Sequence, residues 1–178
     1  MRIRETSPSD LPDVMLVNRL AFGGETVPEL ARDILADPSA KPVLSLLAFD
    51  DDQPIGHILF SKGCLVEPES ACSVAILAPL GVVPAAQRRG VGGRLIEAGL
   101  RSLSEAGVEL VFLAGHPTYY PRHGFEPAGP LGLAPPYPFP AAHADAWMVR
   151  ALRPGLLGSV RGKVMCSDVL SRPEHWRA

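Results

Sequence analysis

One junction limits what this chain can become more than any other stretch: Pro84 to Leu95, "PAAQRRGVGGRL". The apolar run "ACSVAILAPLGVV" precedes it, and Leu95, Ile96, Gly99, Leu100 and Leu103 follow at helical intervals. Gly107 ends that helix, and "VELVFLAG" is the next strand-like run. Strand, loop, helix and strand from Ala71 to Gly115 imply a crossover between two parallel strands.

A helix start exposes unpaired N–H groups and the positive end of the helix dipole. Gly90, Gly92 and Gly93 let an anion approach that backbone, while Arg88, Arg89 and Arg94 add charge. An oxyanion, most often a phosphate group, is the expected guest; a solvated turn before a surface helix is the other reading. Gly92-Gly93-Arg94-Leu95 lacks the Gly-Lys-Ser/Thr of a nucleoside-triphosphate loop. A dinucleotide fingerprint needs glycine where Leu95 stands, and an acid at the end of the next strand, whereas Glu109 lies near its start. A diphosphate cradle beside a strand with a free edge survives. Pro79, Pro84 and Val82-Val83 suggest that the strand's ladder is broken near its end, where an extended amide such as pantetheine can pair.

The remaining pattern surrounds this unit. "MRIRET" alternates as a first strand, and Leu11, Val14, Met15 and Phe22 mark a helix after Ser7-Pro8. Thr26 and Glu29 have capping-box spacing before a second helix. "PVLSLLAF" and "IGHILFSKGCLV" read as a hairpin, and "HPTYYPRH" allows only a short helical turn because of Pro121. "GFEPAG" starts a strand, "PLGLAPPYPFP" is a loop, and "HADAWMVRAL" closes the core by alternation. The 178 residues suit a domain over 1–152 with an extension over 153–178 packed on it.

With 47% apolar residues and a net charge of −2, a globular chain is expected, with no general attraction to nucleic acid. No apolar stretch reaches membrane-spanning length and the N-terminus has no secretory h-region, so a cytoplasmic location without membrane contact is expected. Cys64, Cys72 and Cys166 read as small buried residues, with Cys64 facing Cys72 across a hairpin as the lesser option.

"QRRGVG", Gln87 to Gly92, after "LGVVP", resembles the Q/R-x-x-G-x-G/A acetyl-CoA motif of the GNAT-type N-acetyltransferase superfamily. "YYPRHGF" is similar to its Tyr-x-x-x-Gly-Phe motif, and "LAGHPTYYPRHGFEPAG" resembles a bacterial subgroup described only as predicted N-acetyltransferases. His123 departs from the aromatic or aliphatic residue usual before Gly124 there. The resemblance implies an α/β (α+β) fold with a mixed, splayed sheet flanked by helices, and acetyl transfer from acetyl-CoA to a primary amine by direct attack. A non-catalytic acyl-CoA-binding module is the alternative.

By carry-over, backbone groups of Gly81, Val82 and Val83 hold pantetheine. The amides from Arg88 through Arg94 (Arg88, Arg89, Gly90, Val91, Gly92, Gly93, Arg94) hold the diphosphate, with Gln87 at the entrance. Tyr120, four residues before Gly124, is the implied general acid, while Tyr119 packs or borders the acceptor site. The strand "ACSVAILAPL" has no carboxylate for a base; Glu67, Glu69, His116 and a water relay stay open. The acceptor, an amine of a small molecule, peptide or protein, is expected between the first two helices and the loop near Tyr137 and Phe139, with Asp33, Asp37 and Asp50 to Asp52 as candidate attractants. The resemblance also implies a homodimer.

Overall fold

The computed structural model describes residues 1–176; the last two residues of the extension lie outside the described residues. Strand β1 (Arg2–Glu5) leads through a 3-10 turn into helix α1 (Leu11–Phe22). The Asp10 carboxylate accepts the Ser7 N–H at 2.7 Å and Arg4 at 2.8 Å, and so anchors the turn to β1. Gly23, at φ +70°, ends α1, because left-handed backbone costs glycine little. Helix α2 (Thr26–Ala36) lacks the expected Thr26–Glu29 capping box: Thr26 is already helical, and the residue before it, Glu25, is ion-paired with Arg19.

Strands β2 (Leu44–Asp50), β3 (Gln53–Val66) and β4 (Ser70–Val82) form antiparallel hairpins. Helix α3 (Val91–Glu105) then crosses over to β5 (Leu110–Ala114), which is parallel to β4. Short strands β6 (Glu126–Pro127) and β7 (Leu133–Ala134) follow, then β8 (Trp147–Ala151) and β9 (Gly162–Cys166). The sheet runs β1-β2-β3-β4-β5-β8-β6, with β9 beside β3 and β7. It is the mixed sheet that the crossover and the resemblance predicted.

The sheet parts where the prolines suggested. β5 pairs with β4 only along Val74–Ile76, whereas β3 accompanies β4 as far as Val82. Between Ile58 and Phe60 of β3, β4 advances from Leu80 to Leu77, one residue more, so it carries a bulge around Pro79. A bulge raises local twist and turns the strand away, and proline offers no N–H to a neighbour.

Two further expectations are corrected. Strand β8 begins at Trp147, after a 3-10 helix over Ala141–Ala146, and Trp147, Met148 and Val149 are all buried rather than alternating. A strand covered on both faces reads as a continuous apolar run; Trp176 and Phe139 pack against Trp147 from outside the sheet. Cys64 is exposed, and Cys72 and Cys166 are half-buried; Cys64 and Cys72 line an open cavity at that end of β3 and β4. Among the described residues no helix is long and apolar enough to cross a membrane.

Candidate active site

Arg88 (φ +63°) and Gly90 (φ +79°) are both left-handed, so the chain turns sharply between β4 and α3. The first helical bond runs from the Arg94 N–H to the Gly90 carbonyl at 3.1 Å. The N–H groups of Val91, Gly92 and Gly93 therefore precede any intrahelical partner. No side chain caps this start and its first turn holds no acid, an arrangement suited to an anion.

A cavity of about 660 Å³ opens there, bounded by the end of β4, the start of α3 and the segment His116–His123. Of the residues expected at the site, Val82, Gln87, Arg88, Gly90, Val91, Gly92, Gly93 and Tyr120 line it. Gly81, Val83, Arg89 and Arg94 stand outside, each for a local reason. Gly81 faces α1, where an added Cβ would lie 3.0 Å from Asn18 Oδ1 and 3.1 Å from Phe22. The Val83 N–H donates to the Ile55 carbonyl at 3.0 Å, and its carbonyl accepts from Ala86 at 2.9 Å. Since Val83 faces β3, alternation along the ladder turns the backbone groups of Val82 toward the side that β5 has left. The Val82 carbonyl also accepts from the Gln87 amide at 3.1 Å. Arg89 leans to Asp50, 3.4 Å away on the β2–β3 turn, and Arg94 is exposed on α3.

Opposite α3, Tyr120 lies over Gly115 and packs edge-on against Tyr119 and Phe125. Burial, aided by Tyr119, pushes its phenol up to about 12, so it stays protonated at neutral pH. Tyr119 packs on Tyr120 and His123 and turns toward the cavity: a Cβ on Gly92 would lie 2.7 Å from its Oη. Likewise a Cβ on Gly93 would lie 3.0 Å from the His123 ring. Two glycines at the start of α3 are thus the seats for two side chains of the second motif. His123 is well packed despite its departure from the pattern, its ring 5.3 Å from Tyr119 and its carbonyl accepting from Arg150. Arg122 holds its guanidinium 5.1 Å from the Tyr119 ring centre. The sequence marked Tyr119 as a packing or acceptor-side residue and His123 as a departure from the motif, but gave Arg122 no role; all three line the cavity, brought toward α3 by the helical turn starting at Tyr120.

The candidate carboxylate bases are not here. Glu67 and Glu69 border the first residues of β4, whereas the cavity lies at its last, and among the described residues no carboxylate lines the cavity. His116 lines it with an exposed side chain, and its carbonyl accepts the Tyr119 N–H at 3.1 Å, so it is not a core histidine.

The other face is closed. His57 of β3 is fully buried, and burial lowers it to about 3, so it is neutral. Asn18 Nδ2 donates to the Val14 carbonyl at 2.9 Å and to His57 Nδ1 at 3.0 Å, which leaves the His57 proton on Nε2, 2.9 Å from Ser45 Oγ. The candidate acceptor residues near the C-terminal segment are engaged there. Asp37 accepts from the Val169 N–H at 3.0 Å, Tyr137 donates to the Ser171 carbonyl at 2.5 Å, and Phe139 packs on Trp147 and Trp176.

Comparison with known proteins gives the family and the fold. Residues 2–128 match the acetyltransferase (GNAT) domain family. The chain is 43% identical over 164 residues to an uncharacterised N-acetyltransferase, YjhQ, of Escherichia coli K12, covering 92% of this chain and 90% of that one. The E. coli GNAT-family N-acetyltransferase YhbS, solved in complex with CoA, superposes with a TM-score of 0.85 at 29% identity, over 96% of this chain and 92% of that one. A GNAT-family acetyltransferase from Brucella melitensis, solved with acetyl-CoA, gives 0.72 at 28% identity, over 95% and 97%.

Proposed function

The chain belongs to the GNAT acetyltransferase family and is an acetyl-CoA-dependent N-acetyltransferase; we propose that the cleft where β4 leaves β5 is its active site. The observation that carries this reading is the uncapped, acid-free start of α3 opening onto the unpaired end of β4. The fit is local: a Cβ at Gly92 or Gly93 would crowd Tyr119 or His123, while the free N–H groups beside them suit a diphosphate. The CoA and acetyl-CoA complexes of the two structural relatives support the same ligand here.

Acetyl-CoA supplies an acyl group activated as a thioester. The amide N–H groups of Val91, Gly92 and Gly93 hold its diphosphate, Arg88 adds charge, and Gln87 stands at the entrance. The Val82 N–H points to the vacated side of β4 and polarises the acetyl carbonyl, stabilising the charge that develops on its oxygen. The amine lone pair forms the new C–N bond as the C–S bond breaks, and the proton lost from nitrogen balances the one gained by sulfur. Tyr120 donates a hydrogen bond to the departing sulfur. A phenol held at about 12 is a weak acid, so it stabilises the thiolate as a donor more than by giving up its proton. The acceptor is an amine of a small molecule, peptide or protein.

Calorimetric titration with acetyl-CoA, with ATP and NAD as controls, tests the reading. Binding in the order of micromolar with silent controls is expected, followed by thiol release when a panel of primary amines is added. Absent acetyl-CoA binding would refute the site.

A further inference from the structure

The positive charge that faces the cavity is not the charge that the glycine–arginine motif advertises. Of its three arginines only Arg88 lines the cavity, since Arg89 is paired with Asp50 and Arg94 lies off it. A diphosphate bears two negative charges at neutral pH, so one side-chain cation leaves the site short. Arg122 lines the same cavity from the opposite wall and makes no ion pair with a carboxylate among the described residues. Its guanidinium, 5.1 Å from the Tyr119 ring centre, is held by a cation–π contact and keeps its donors available.

Tyr119 makes the same point by geometry. Its Oη sits against Gly92, whose own N–H precedes any helical partner, and a Cβ there would also lie 3.7 Å from Val82 Cγ2. The hydroxyl therefore stands between the end of β4 and the start of α3, where the strand-bound and helix-bound parts of an extended ligand meet. Oη makes no hydrogen bond among the described residues; the nearby side-chain donors Gln87 and Arg150 bond instead to the carbonyls of Val82 and His123.

We infer that Arg122 and Tyr119 are phosphate-binding residues: the second motif supplies the cation and the hydroxyl donor that complete the anion site begun by α3. The inference rests on the acetyl-CoA reading of this cleft and adds to it a division of labour. The α3 amides grip one side of the diphosphate, and a segment 30 residues further along the chain grips the other (Arg122 against Gly92). Gly92 is required because a side chain there would evict the donor.

The test compares two thioesters that differ in their phosphates, acetyl-CoA and phosphate-free S-acetylpantetheine, with an amine that the wild type accepts. Arg122→Gln is expected to lower kcat/KM for acetyl-CoA about tenfold or more, mainly through KM, and Tyr119→Phe about fivefold. Both variants should stay within about twofold of wild type on S-acetylpantetheine, and Arg101→Gln, on the exposed face of α3, should change neither. Equal losses on both thioesters would mean a structural role and overturn the inference, as would no loss on either. Inorganic pyrophosphate titrated into wild type and Arg122→Gln separates this inference from the reading beneath it. Weaker pyrophosphate binding by the variant upholds the anion site even if wild type proves inert toward acetyl-CoA; equal binding, or none by either protein, overturns it.

Discussion

Gly81 and Val82 are neighbours in one strand, yet their surroundings have little in common. Gly81 faces α1 and is sealed: Asn18, Ala21 and Phe22 would meet any added Cβ at 3.0 to 3.1 Å, and the neutral His57 lies opposite on β3. Val82 faces the other way, into a cavity of about 660 Å³ lined by the start of α3 and the tyrosine segment. The difference follows from the splay. Beyond Ile76, β4 has no β5 partner, so half of its ladder is missing from Leu77 to Val82. The packed face must then hold the strand in place while the hollow face admits a ligand.

Filling the sealed face should have the largest effect. Gly81→Leu drives a side chain into Asn18 and Phe22, and should cost about 3 kcal/mol, read by urea unfolding; a loss under about 1 kcal/mol would mean that α1 yields and the seal is loose. On the hollow face, Tyr120→Phe should lower kcat about 100-fold, or about 2.7 kcal/mol, with acetyl-CoA binding nearly intact. Unchanged turnover would remove the phenol from the reaction.

The sealed face also predicts an acid response. His57 stays neutral in the folded chain down to about pH 3, whereas its ordinary value is 6.5. The unfolded chain thus takes up the proton first. Stability is complete above about pH 6.5 and falls with pH between 6.5 and 3, by about 1.4 kcal/mol per unit. His123 and His175, also lowered by burial, add slopes of the same sign. Urea unfolding at pH 6.5 and 5.0 should show wild type losing about 2 kcal/mol more than His57→Gln; parallel losses would deny the buried neutral imidazole. The smallest effect belongs to Gly92→Ala. Its Cβ displaces the Tyr119 hydroxyl, raising KM for acetyl-CoA about tenfold (about 1.4 kcal/mol) with little change in stability; an unchanged KM would show that Tyr119 relocates freely.

Much of this comparison was legible before any coordinates. The strand run, the glycines and the helical stripe after Leu95 are local signals, and they marked the crossover, the broken ladder near Pro79 and the anion-ready helix start. The spacing of Tyr120 to Gly124 singled out a side chain that does line the cavity. Other features were not legible. Nothing local tells Arg88 from Arg89, yet one lines the cavity and the other is drawn to Asp50 on a turn 39 residues away. His57 reads as an ordinary strand residue, and only its contacts with Asn18 and Ser45 reveal a buried polar trio. Asp37, Tyr137 and Phe139 looked like candidates for the acceptor side, but the C-terminal segment, whose structure had no readable pattern, engages all three.

The sequence by itself determined the strands and helices from β1 to β5, where β4 must lose its partner, and which helix start is open to an anion, because those depend on periodicity, proline chemistry and unpaired backbone. Only the tertiary structure decided which side chains share the cleft. Tyr119, Arg122 and His123 reach α3 because Gly92 and Gly93 leave room for them, and Arg89 is lost to Asp50 because a distant turn comes near. Such pairings depend on distances between segments far apart in the chain, which no local pattern encodes.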